Sequence, residues 1–514
     1  MHAEMIPQGM TVSMKNPRNL VQGKWEWAIL VVAVLLRFVL LDIKPPHFDE
    51  GINGWFCEQM TAKGFYAYDP ENYHGPLHFY VLWNFLAIGG RSLWAMRLPV
   101  VLVGIVAVWL ALRFDRFFGK ASCRWAALLL AVSPAVVFYN RYSIHETWQQ
   151  VFLMLFAWGA MGLWRFGTRG YLWALGMALT GLILTKETYV IHVFCFLLAG
   201  LGAWIWHAAL PASHIRRSAW RVTMEDLWAV GAVGMVTVVF FYSGTFLNWS
   251  LLEGLSTTFD HWVQTGSAEQ GGHQKPGSYW LDLIARYEGP MALGLVCAVF
   301  AFLPRFPGLL RWLAIYACGA LAAYSIVPYK TPWCIISILW PFAFCFGYFL
   351  TKLPPFVGPA LGGLMIFQTL TETISLNFFR FTDERHPYVY VQTFPGIEKM
   401  THPLLTLALQ NPENYHLRGL VLTSSYFPLP WVLGDFDNIG WWGKRRPKSY
   451  EADFLLVNTK DEKVVERHLT DDYFKEPLKI RDSQEASIAY FRASYFDVMF
   501  PGREPDFVAP EEVP

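Results

Sequence analysis

The chain has 514 residues, of which 54% are hydrophobic and 16% are charged, with a formal net charge of +1. Soluble domains usually carry about 25% charged residues, and the mean hydropathy here is +0.29. This composition argues against one large soluble domain and predicts a multi-pass membrane protein with some soluble mass. The balanced charge, without a basic stripe, argues against a nucleic-acid partner. The seven cysteines form no CxxC or Cys/His spacing, so we interpret them as small core residues.

A retained first membrane span is predicted to follow a polar N-terminal tail, residues 1–24, because no small-residue cleavage site follows the apolar run. About eleven spans are expected between residues 25 and 372, although several are shorter than the roughly 20 residues that a membrane helix needs. The apolar segments, in chain order, are 25–41, 97–112, 125–140, 147–164, 171–185, 188–206, 227–243, 290–304, 311–327, 333–351 and 356–372.

The segment 77–96 is ambiguous, since it could span the membrane or lie on its surface as an aromatic-rich helix. Placing it on the outer surface leaves most Lys and Arg residues of the loops on the inner side, as the positive-inside rule requires. We therefore expect a cytoplasmic N-terminus, outer loops at 42–96 and 244–289, and an outer C-terminus in a cell membrane.

The last part of the chain, residues 373–514, contains no spanning run and has more charged and turn residues. Short β-type runs at 419–422, 454–457 and 488–491 alternate with helix-like stretches at 394–410 and 460–469, which predicts a small extracytoplasmic α/β domain. We expect this domain to position one of the substrates and to supply no catalytic group. Its tryptophans Trp431, Trp441 and Trp442 could stack on sugar rings, or they could simply pack the domain.

Two adjacent carboxylates, Asp49 and Glu50, follow the first predicted span. Carboxylates near lipid are costly, so such a pair indicates chemistry at the membrane boundary. One carboxylate would act as a general base while the other positions it or raises its pKa. The alternative is a solvated turn or the first turn of a helix, where Asp and Glu are common.

The expected topology places several further polar clusters on the same outer face. Arg141 to Glu146 could pair a phosphate-binding guanidinium with a second catalytic carboxylate, or could be an interfacial anchor. Lys186 and Glu187 could serve the site or form a local ion pair, and Lys330 could bind phosphate or snorkel to the interface. We assign donor phosphate binding to Arg141, Lys186 and Lys330, and substrate binding to Tyr73, His74, His145, Glu187, His273 and Tyr329.

These parts predict a reaction class. A sugar on a polyprenyl phosphate already carries a good leaving group, so an enzyme must supply a base for the acceptor and cations for the departing phosphate. Glycoside hydrolysis differs, because it needs two carboxylates in complementary roles. A loop with a carboxylate, together with Arg and Lys clusters at the lipid boundary, provides the base and the cations that such a transfer needs. His74 and His273 with distant carboxylates are weak evidence for a metal, so neither a metal site nor a cofactor is predicted.

The same motifs resemble the GT-C superfamily of lipid-linked glycosyltransferases, in particular its protein O-mannosyltransferase and aminoarabinose-transferase branch. The acidic pair 49–50, the Arg-plus-acidic loop 139–146, Gly75-Pro76-Leu77, Arg97-Leu98-Pro99 and Leu184-Thr185-Lys186-Glu187 carry the resemblance over about residues 25–350. Tyr329 to Trp333 and Phe427 to Trp431 are similar to segments of the archaeal-type flippase-activity-associated membrane proteins.

The resemblance implies an inverting transfer of sugar from a polyprenyl-phosphate donor to a glycan, lipid or protein acceptor at the outer face of the bilayer. Some relatives use a divalent metal, whereas this branch generally does not. The alternative function is a flippase or transport-associated protein without transferase activity, for which polar residues at mid-membrane and broken helices would be expected.

Overall fold

The structure is a computed structural model that describes residues 23–71, 74–209, 220–267 and 273–510. Most of the predicted N-terminal tail and the candidate Tyr73 lie outside these ranges.

Every predicted membrane segment forms a helix or two successive helices. The segment 77–96 contains a short apolar helix of 13 residues, α3, too short to cross a bilayer unaided. The helices up to residue 374 are α1 Lys24–Phe38, α2 Phe48–Lys63, α3 Leu77–Gly89, α4 Leu93–Leu112, α5 Asp115–Phe118, α6 Lys120–Val132, α7 Pro134–Tyr139, α8 Glu146–Phe166, α9 Arg169–Ile183, α10 Tyr189–Ala209, α11 Met224–Tyr242, α12 Gly254–Ser267, α13 Tyr279–Tyr287, α14 Gly289–Phe300, α15 Gly308–Ile326, α16 Ile335–Leu350 and α17 Val357–Ile374.

Fewer helices than predicted are individually long and apolar enough to cross a membrane. Within the described ranges five qualify, and a sixth does if α13 and α14, bent by 116°, count as one span. The number of eleven spans and their orientation therefore stay predictions, while the mostly helical, multi-pass character is clear. Short pairs such as α6 and α7, separated at Ser133, explain part of the difference, since each piece alone is too short.

Helix α16 lies at the centre of the bundle and is buried along almost its whole length. It packs against α6, α8, α14 and α15, which agrees with its apolar character on all sides.

Two buried ionisable side chains inside the bundle are hydrogen-bonded to neutral protein groups. The guanidinium of Arg37 donates to Asn140 Oδ1 at 3.0 Å and to backbone carbonyls of α6. The carboxylate of Glu288, at the bend between α13 and α14, accepts from Ser133 Oγ and from the amide of Ala135, each at 2.8 Å. Glu288 thus satisfies one free backbone donor at the start of α7 and links the two breaks in the bundle.

The C-terminal region forms the predicted α/β domain around a five-stranded sheet with strand order β2-β1-β3-β5-β4. Strand β1 pairs in parallel with β2 and β3, while β5 pairs antiparallel with β3 and β4. The elements are α18 Glu398–Gln410, β1 Gly419–Val421, α19 Leu429–Val432, β2 Ile439–Trp441, β3 Phe454–Asn458, α20 Glu462–Glu466, β4 Tyr473–Leu478, β5 Ser487–Arg492 and α21 Ala493–Phe496.

This domain packs directly on helix α2 through α19. A Cβ added at Gly51 would lie 2.4 Å from Pro428 Cα, and one at Gly54 would lie 2.2 Å from Trp431 Cδ1. The two glycines therefore permit a close approach that any side chain would block. Trp431 is buried in this contact, so its role is packing, the second of the two interpretations considered for it.

Candidate active site

A cavity of about 630 Å³ lies where the first turns of α2 and α8 meet three loops and the C-terminal domain. It gathers six of the predicted site residues: Asp49, His74, His145, Glu146, His273 and Tyr329. The remaining described lining residues are Phe48, Ile52, Asn53, Glu71, Ile144, Trp333, Glu384, Tyr390, Val391, Ser425, Arg481 and Ser483.

The acidic pair begins helix α2, where the two carboxylates point in different directions. His47 caps the helix, since its Nδ1 accepts from the amide of Asp49 at 3.1 Å while its own amide donates to Glu50 Oε2 at 2.9 Å. The predicted alternative, a helix first turn, is therefore also realised, and it orients the pair. Asp49 lines the cavity with a side chain 32% exposed, and its carboxylate has no hydrogen-bond partner among the described residues.

Glu50 lies outside the cavity and is fully buried. Arg97 holds both of its oxygens, with Nε to Oε1 at 2.9 Å and Nη2 to Oε2 at 2.8 Å, and the amide of Ser143 donates to Oε1 at 3.0 Å. Burial raises the pKa of Glu50, but the charge and hydrogen bonds of Arg97 outweigh this and lower the pKa below its ordinary value. In this structure Glu50 is bound by protein groups and does not line the cavity, and its predicted catalytic role stays a prediction.

The opposite wall carries Glu146 at the start of α8. Its carboxylate forms a buried ion pair with Lys186, whose Nζ also lies 3.9 Å from Cys334 Sγ. Lys186 is thus bound to a protein carboxylate and does not itself line the cavity. His145 lies beside Glu146, and its buried Nε2 has no partner among the described residues.

A histidine cluster adjoins this wall. The rings of His74 and His145 are 4.7 Å apart, and His74 Nδ1 lies 3.7 Å from the buried carboxylate of Glu187. A short backbone pairing between His74 and Lys186 aligns the two loops. Gly75 permits it, because a Cβ there would lie 2.3 Å from the carbonyl of Leu184.

The other two predicted phosphate-binding cations are engaged elsewhere. Arg141 is fully buried and donates to the carbonyls of Leu36, Val39 and Leu40, so it satisfies the C-terminal end of α1. Lys330 donates through Nζ to the carbonyls of Val327 and Lys275. Neither lines the cavity, because both side chains satisfy backbone acceptors that the sequence alone does not reveal.

Arg481, from the loop after β4, is the only Lys or Arg among the described residues that line the cavity. It is 2% exposed, it donates through Nη2 to the carbonyls of Ser425 and Phe427, and its guanidinium lies 4.3 Å from the centre of the Phe48 ring. Its buried Nε has no partner among the described residues. Burial lowers the pKa of Arg481 to about 10, while Asp49 and Glu384 raise it, so the side chain is charged at neutral pH.

Arg481 shows that the C-terminal domain contributes a cation to the wall of the cavity, whereas the expectation that this domain supplies no catalytic group stays a prediction. No motif marks this residue in the sequence, and only the docking of the domain on α2 brings it beside Asp49. The tryptophans that seemed suited to stacking on sugars, 431, 441 and 442, are not among the described lining residues.

The remaining wall is formed by His273, Tyr329 and Tyr390. His273 Nδ1 and the Tyr390 hydroxyl lie 2.7 Å apart, and the rings of His273 and Tyr329 are 4.9 Å apart. Burial lowers the pKa of His273 and Lys275 adds to this effect, whereas Asp49 opposes it. The wall therefore presents a neutral imidazole and phenol groups at neutral pH.

Within the described residues, no group of three or more His, Cys, Asp and Glu side chains is placed so as to hold a metal ion. The cavity instead presents separate carboxylates, neutral donors and one guanidinium. This arrangement suits a ligand with both hydroxyl groups and a negative charge.

Comparison with known families gives one match within the chain. Residues 73–241 match the family described as dolichyl-phosphate-mannose-protein mannosyltransferase. A comparison with curated protein sequences found no matching relative.

Solved structures resemble the whole chain more fully. ArnT from Cupriavidus metallidurans bound to undecaprenyl phosphate is 15% identical and superposes with a TM-score of 0.63, over 90% of this chain and 98% of that one. The apo form of ArnT gives a TM-score of 0.61 at 15% identity, over 90% and 97% of the two chains. The apo oligosaccharyltransferase from Archaeoglobus fulgidus gives 0.51 at 12% identity, over 88% and 73%. The chain therefore has the fold of the GT-C glycosyltransferase superfamily, as the resemblance in its motifs predicted.

Proposed function

We propose that this protein transfers a sugar from a polyprenyl-phosphate donor to an acceptor at the outer face of the membrane, with Asp49 as the general base. The observation that carries the proposal is the carboxylate of Asp49, which accepts no hydrogen bond from the described residues, in a cavity whose described lining includes one guanidinium, that of Arg481. The family match, the shared fold and the undecaprenyl phosphate named in the ArnT structure support a lipid-linked sugar as the donor.

In the proposed reaction, Asp49 accepts the proton of an acceptor hydroxyl or amine as that group attacks the anomeric carbon. The bond between the anomeric carbon and the phosphate oxygen breaks, and the polyprenyl phosphate leaves with the electron pair. Attack opposite the leaving group inverts the configuration. A general base contributes about 10²- to 10⁴-fold to the rate.

Arg481 takes the role that the sequence assigned to Arg141, Lys186 and Lys330. Its unpartnered Nε can donate to a phosphate oxygen, and a charge-assisted bond at a buried site is stronger than one in water. His273 and Tyr390 would bind sugar hydroxyl groups on the neighbouring wall. Glu146, held by Lys186, would complete the opposite wall and orient the acceptor rather than take its proton.

Glu50 acts as a positioning residue in this account. Its contacts with Arg97, His47 and Ser143 join the first turn of α2 to α4 and to the loop before α8. This network fixes the direction of the Asp49 side chain. A rigid support of this kind is what a catalytic group needs to keep its geometry.

The alternative function, movement of lipid-linked sugar across the membrane, predicts mid-membrane polar groups and broken helices. Arg37 and Glu288 are buried charged residues within the helical bundle, and α13 and α14 are bent by 116° at the break between them. Arg37 and Glu288, however, are bonded to protein groups and neither lines the cavity, which favours structural roles for them.

An assay in detergent separates the two functions, because detergent leaves no compartments between which a lipid could be moved. The purified protein is incubated with polyprenyl-phosphate hexoses and an envelope extract as the source of acceptor, and released polyprenyl phosphate is measured. A transferase releases it with extract and much less without. Absence of release from every donor, by protein that retains its fold, would contradict the proposed function.

A further inference from the structure

A second cavity, of about 440 Å³, lies in the C-terminal domain outside the bundle. It occupies the edge of the sheet at which the parallel strands β1, β2 and β3 end. The loops after these strands line it at 422–425, 443–447 and 458–461, together with residues 483–485 before β5.

This position is a switch point of the sheet. The chain leaves β1 toward β2 on one side, and it leaves β3 toward β4 at the opposite edge. Diverging connections open a crevice at the carboxyl ends of parallel strands, and ligands of open α/β sheets bind in that crevice. The volume also falls within the usual range of about 300–1,000 Å³ for small-molecule sites.

Three of the cations that line the crevice have no side-chain partner among the described residues. Lys444, Arg445 and Arg446 follow β2, and none of their side chains forms an ion pair or a hydrogen bond with another described residue. Gly443, with φ of 62°, provides the turn that leads the chain into this basic loop. Lys460 also lines the crevice, but it is paired with Glu485 at 2.6 Å.

The rest of the wall combines hydroxyl and amide groups with the carboxylates of Asp461 and Glu485 and several apolar side chains. Thr423, Ser424, Asn458 and Gln484 line it, and Gln484 Nε2 donates to Thr423 Oγ1 at 3.0 Å, which ties two of the loops together. Hydroxyl and amide groups in a concave wall suit the hydroxyl groups of a saccharide. A basic surface that only attracts lipid headgroups would not need them.

The crevice adjoins the candidate active site. Ser425 and Ser483 line both cavities, and Arg481 donates to the carbonyl of Ser425. A molecule seated in the crevice would therefore lie next to the candidate active site.

We propose that this crevice binds a phosphate- or carboxylate-bearing saccharide portion of the acceptor, with Lys444, Arg445 and Arg446 recognising the negative charge. The identification of this saccharide as the acceptor rests on the proposed transfer reaction, but the binding itself does not depend on catalysis. The C-terminal domain would then both select the acceptor and direct it to the base.

The test uses the full chain in nanodiscs of neutral phosphatidylcholine, with calorimetric titration of glucose 6-phosphate, glucuronate and glucose. Binding of at least one anionic sugar, at least tenfold tighter than glucose, supports the proposal and identifies which anion is recognised. The double variant Arg445→Ala/Arg446→Ala should weaken that binding at least tenfold. The matched control is Lys448→Ala, which removes a cation from the same loop outside the lining and should change binding less than twofold.

Three results would overturn the proposal. They are equal binding of charged and neutral sugars, an unchanged affinity in the double variant, and an effect of Lys448→Ala as large as that of the double variant. A second series in phosphatidylglycerol nanodiscs tests a lipid surface as the occupant. Failure of both anionic sugars to bind in neutral nanodiscs, with folding of the domain shown by protease resistance, would also overturn it.

The same titration on Asp49→Asn keeps the two proposals apart. Anionic-sugar binding retained in this variant, together with absence of transfer by the wild type, would leave the crevice assigned and refute the transferase reaction alone.

Discussion

Replacing Glu50 by Gln should lower the free energy of unfolding, whereas replacing its neighbour Asp49 by Asn should leave it nearly unchanged. Glu50 is fully buried and neutralises Arg97, which is also fully buried. Removing one partner of such a pair leaves an uncompensated charge and costs about 3–5 kcal/mol. Asp49 is partly exposed and has no hydrogen-bonded partner for its carboxylate among the described residues, so its change should remain within about 0.5 kcal/mol.

The two variants carry the same chemical change, a carboxylate replaced by an amide, at adjacent positions of the chain. Each is purified in the same detergent, and unfolding is followed by thermal scanning and by titration with a denaturing detergent. Both are also assayed for release of polyprenyl phosphate. Glu50→Gln should lower the midpoint of unfolding, and its remaining folded fraction should keep measurable turnover, since Glu50 only supports Asp49.

The pH dependence follows from the same pair. The pKa of Glu50 is lower in the folded state than its ordinary value, so its ion pair contributes stability above the ordinary glutamate pKa. That contribution is lost as the pH falls through the folded-state pKa. The stability of Glu50→Gln should therefore decrease less on acidification than the stability of the wild type.

A fully stable Glu50→Gln protein without turnover would refute this reasoning, because it would make Glu50 the catalytic carboxylate. Equal destabilisation by Asp49→Asn would refute it as well, since it would show that Asp49 has a buried partner.

Three further outcomes are expected. Arg481→Ala should weaken binding of undecaprenyl phosphate at least tenfold, measured by native mass spectrometry, and unchanged binding would remove this residue from the donor site. Gly54→Ala should loosen the C-terminal domain and increase its cleavage by protease, because the new Cβ would overlap the tryptophan 2.2 Å away. Gly231→Ala, which meets no atom within 4 Å, is the control and should behave as the wild type. A cysteine at exposed position 413 should react with an impermeant reagent from outside, and one at position 120 only after permeabilisation; the reverse pattern would invert the predicted topology.

Much of the helical architecture could be predicted from hydropathy, because apolar segments in a membrane protein must form helices to satisfy their backbone groups. The strands β1, β3 and β5 were also evident as buried apolar runs. Strand β2 was missed because it has only three residues, all partly exposed, and β4 because Lys, Glu and Pro interrupt its apolar pattern.

Only part of the candidate site could be predicted from the sequence. The positive-inside rule was sufficient to predict that Asp49, His145-Glu146 and His273 converge, since it placed their loops on one face. The partners of long cations could not be predicted, because a free helix end such as that of α1 is visible only in the folded chain. The sequence therefore did not show that Arg141 lies outside the cavity or that Arg481, far away in the sequence, lines it. Glu288 was missed as well, because a single Glu between two apolar helices has no distinguishing pattern.

The most direct test of the central claim is the turnover of Asp49→Asn compared with its affinity for undecaprenyl phosphate. Glu384 lines the same cavity, so Glu384→Gln makes the same carboxylate-to-amide change there and provides the matched control. We predict that Asp49→Asn lowers turnover about 10²- to 10⁴-fold with affinity for undecaprenyl phosphate within twofold of the wild type, while Glu384→Gln keeps most of its turnover. Near wild-type turnover in Asp49→Asn would contradict the assignment of Asp49 as the base.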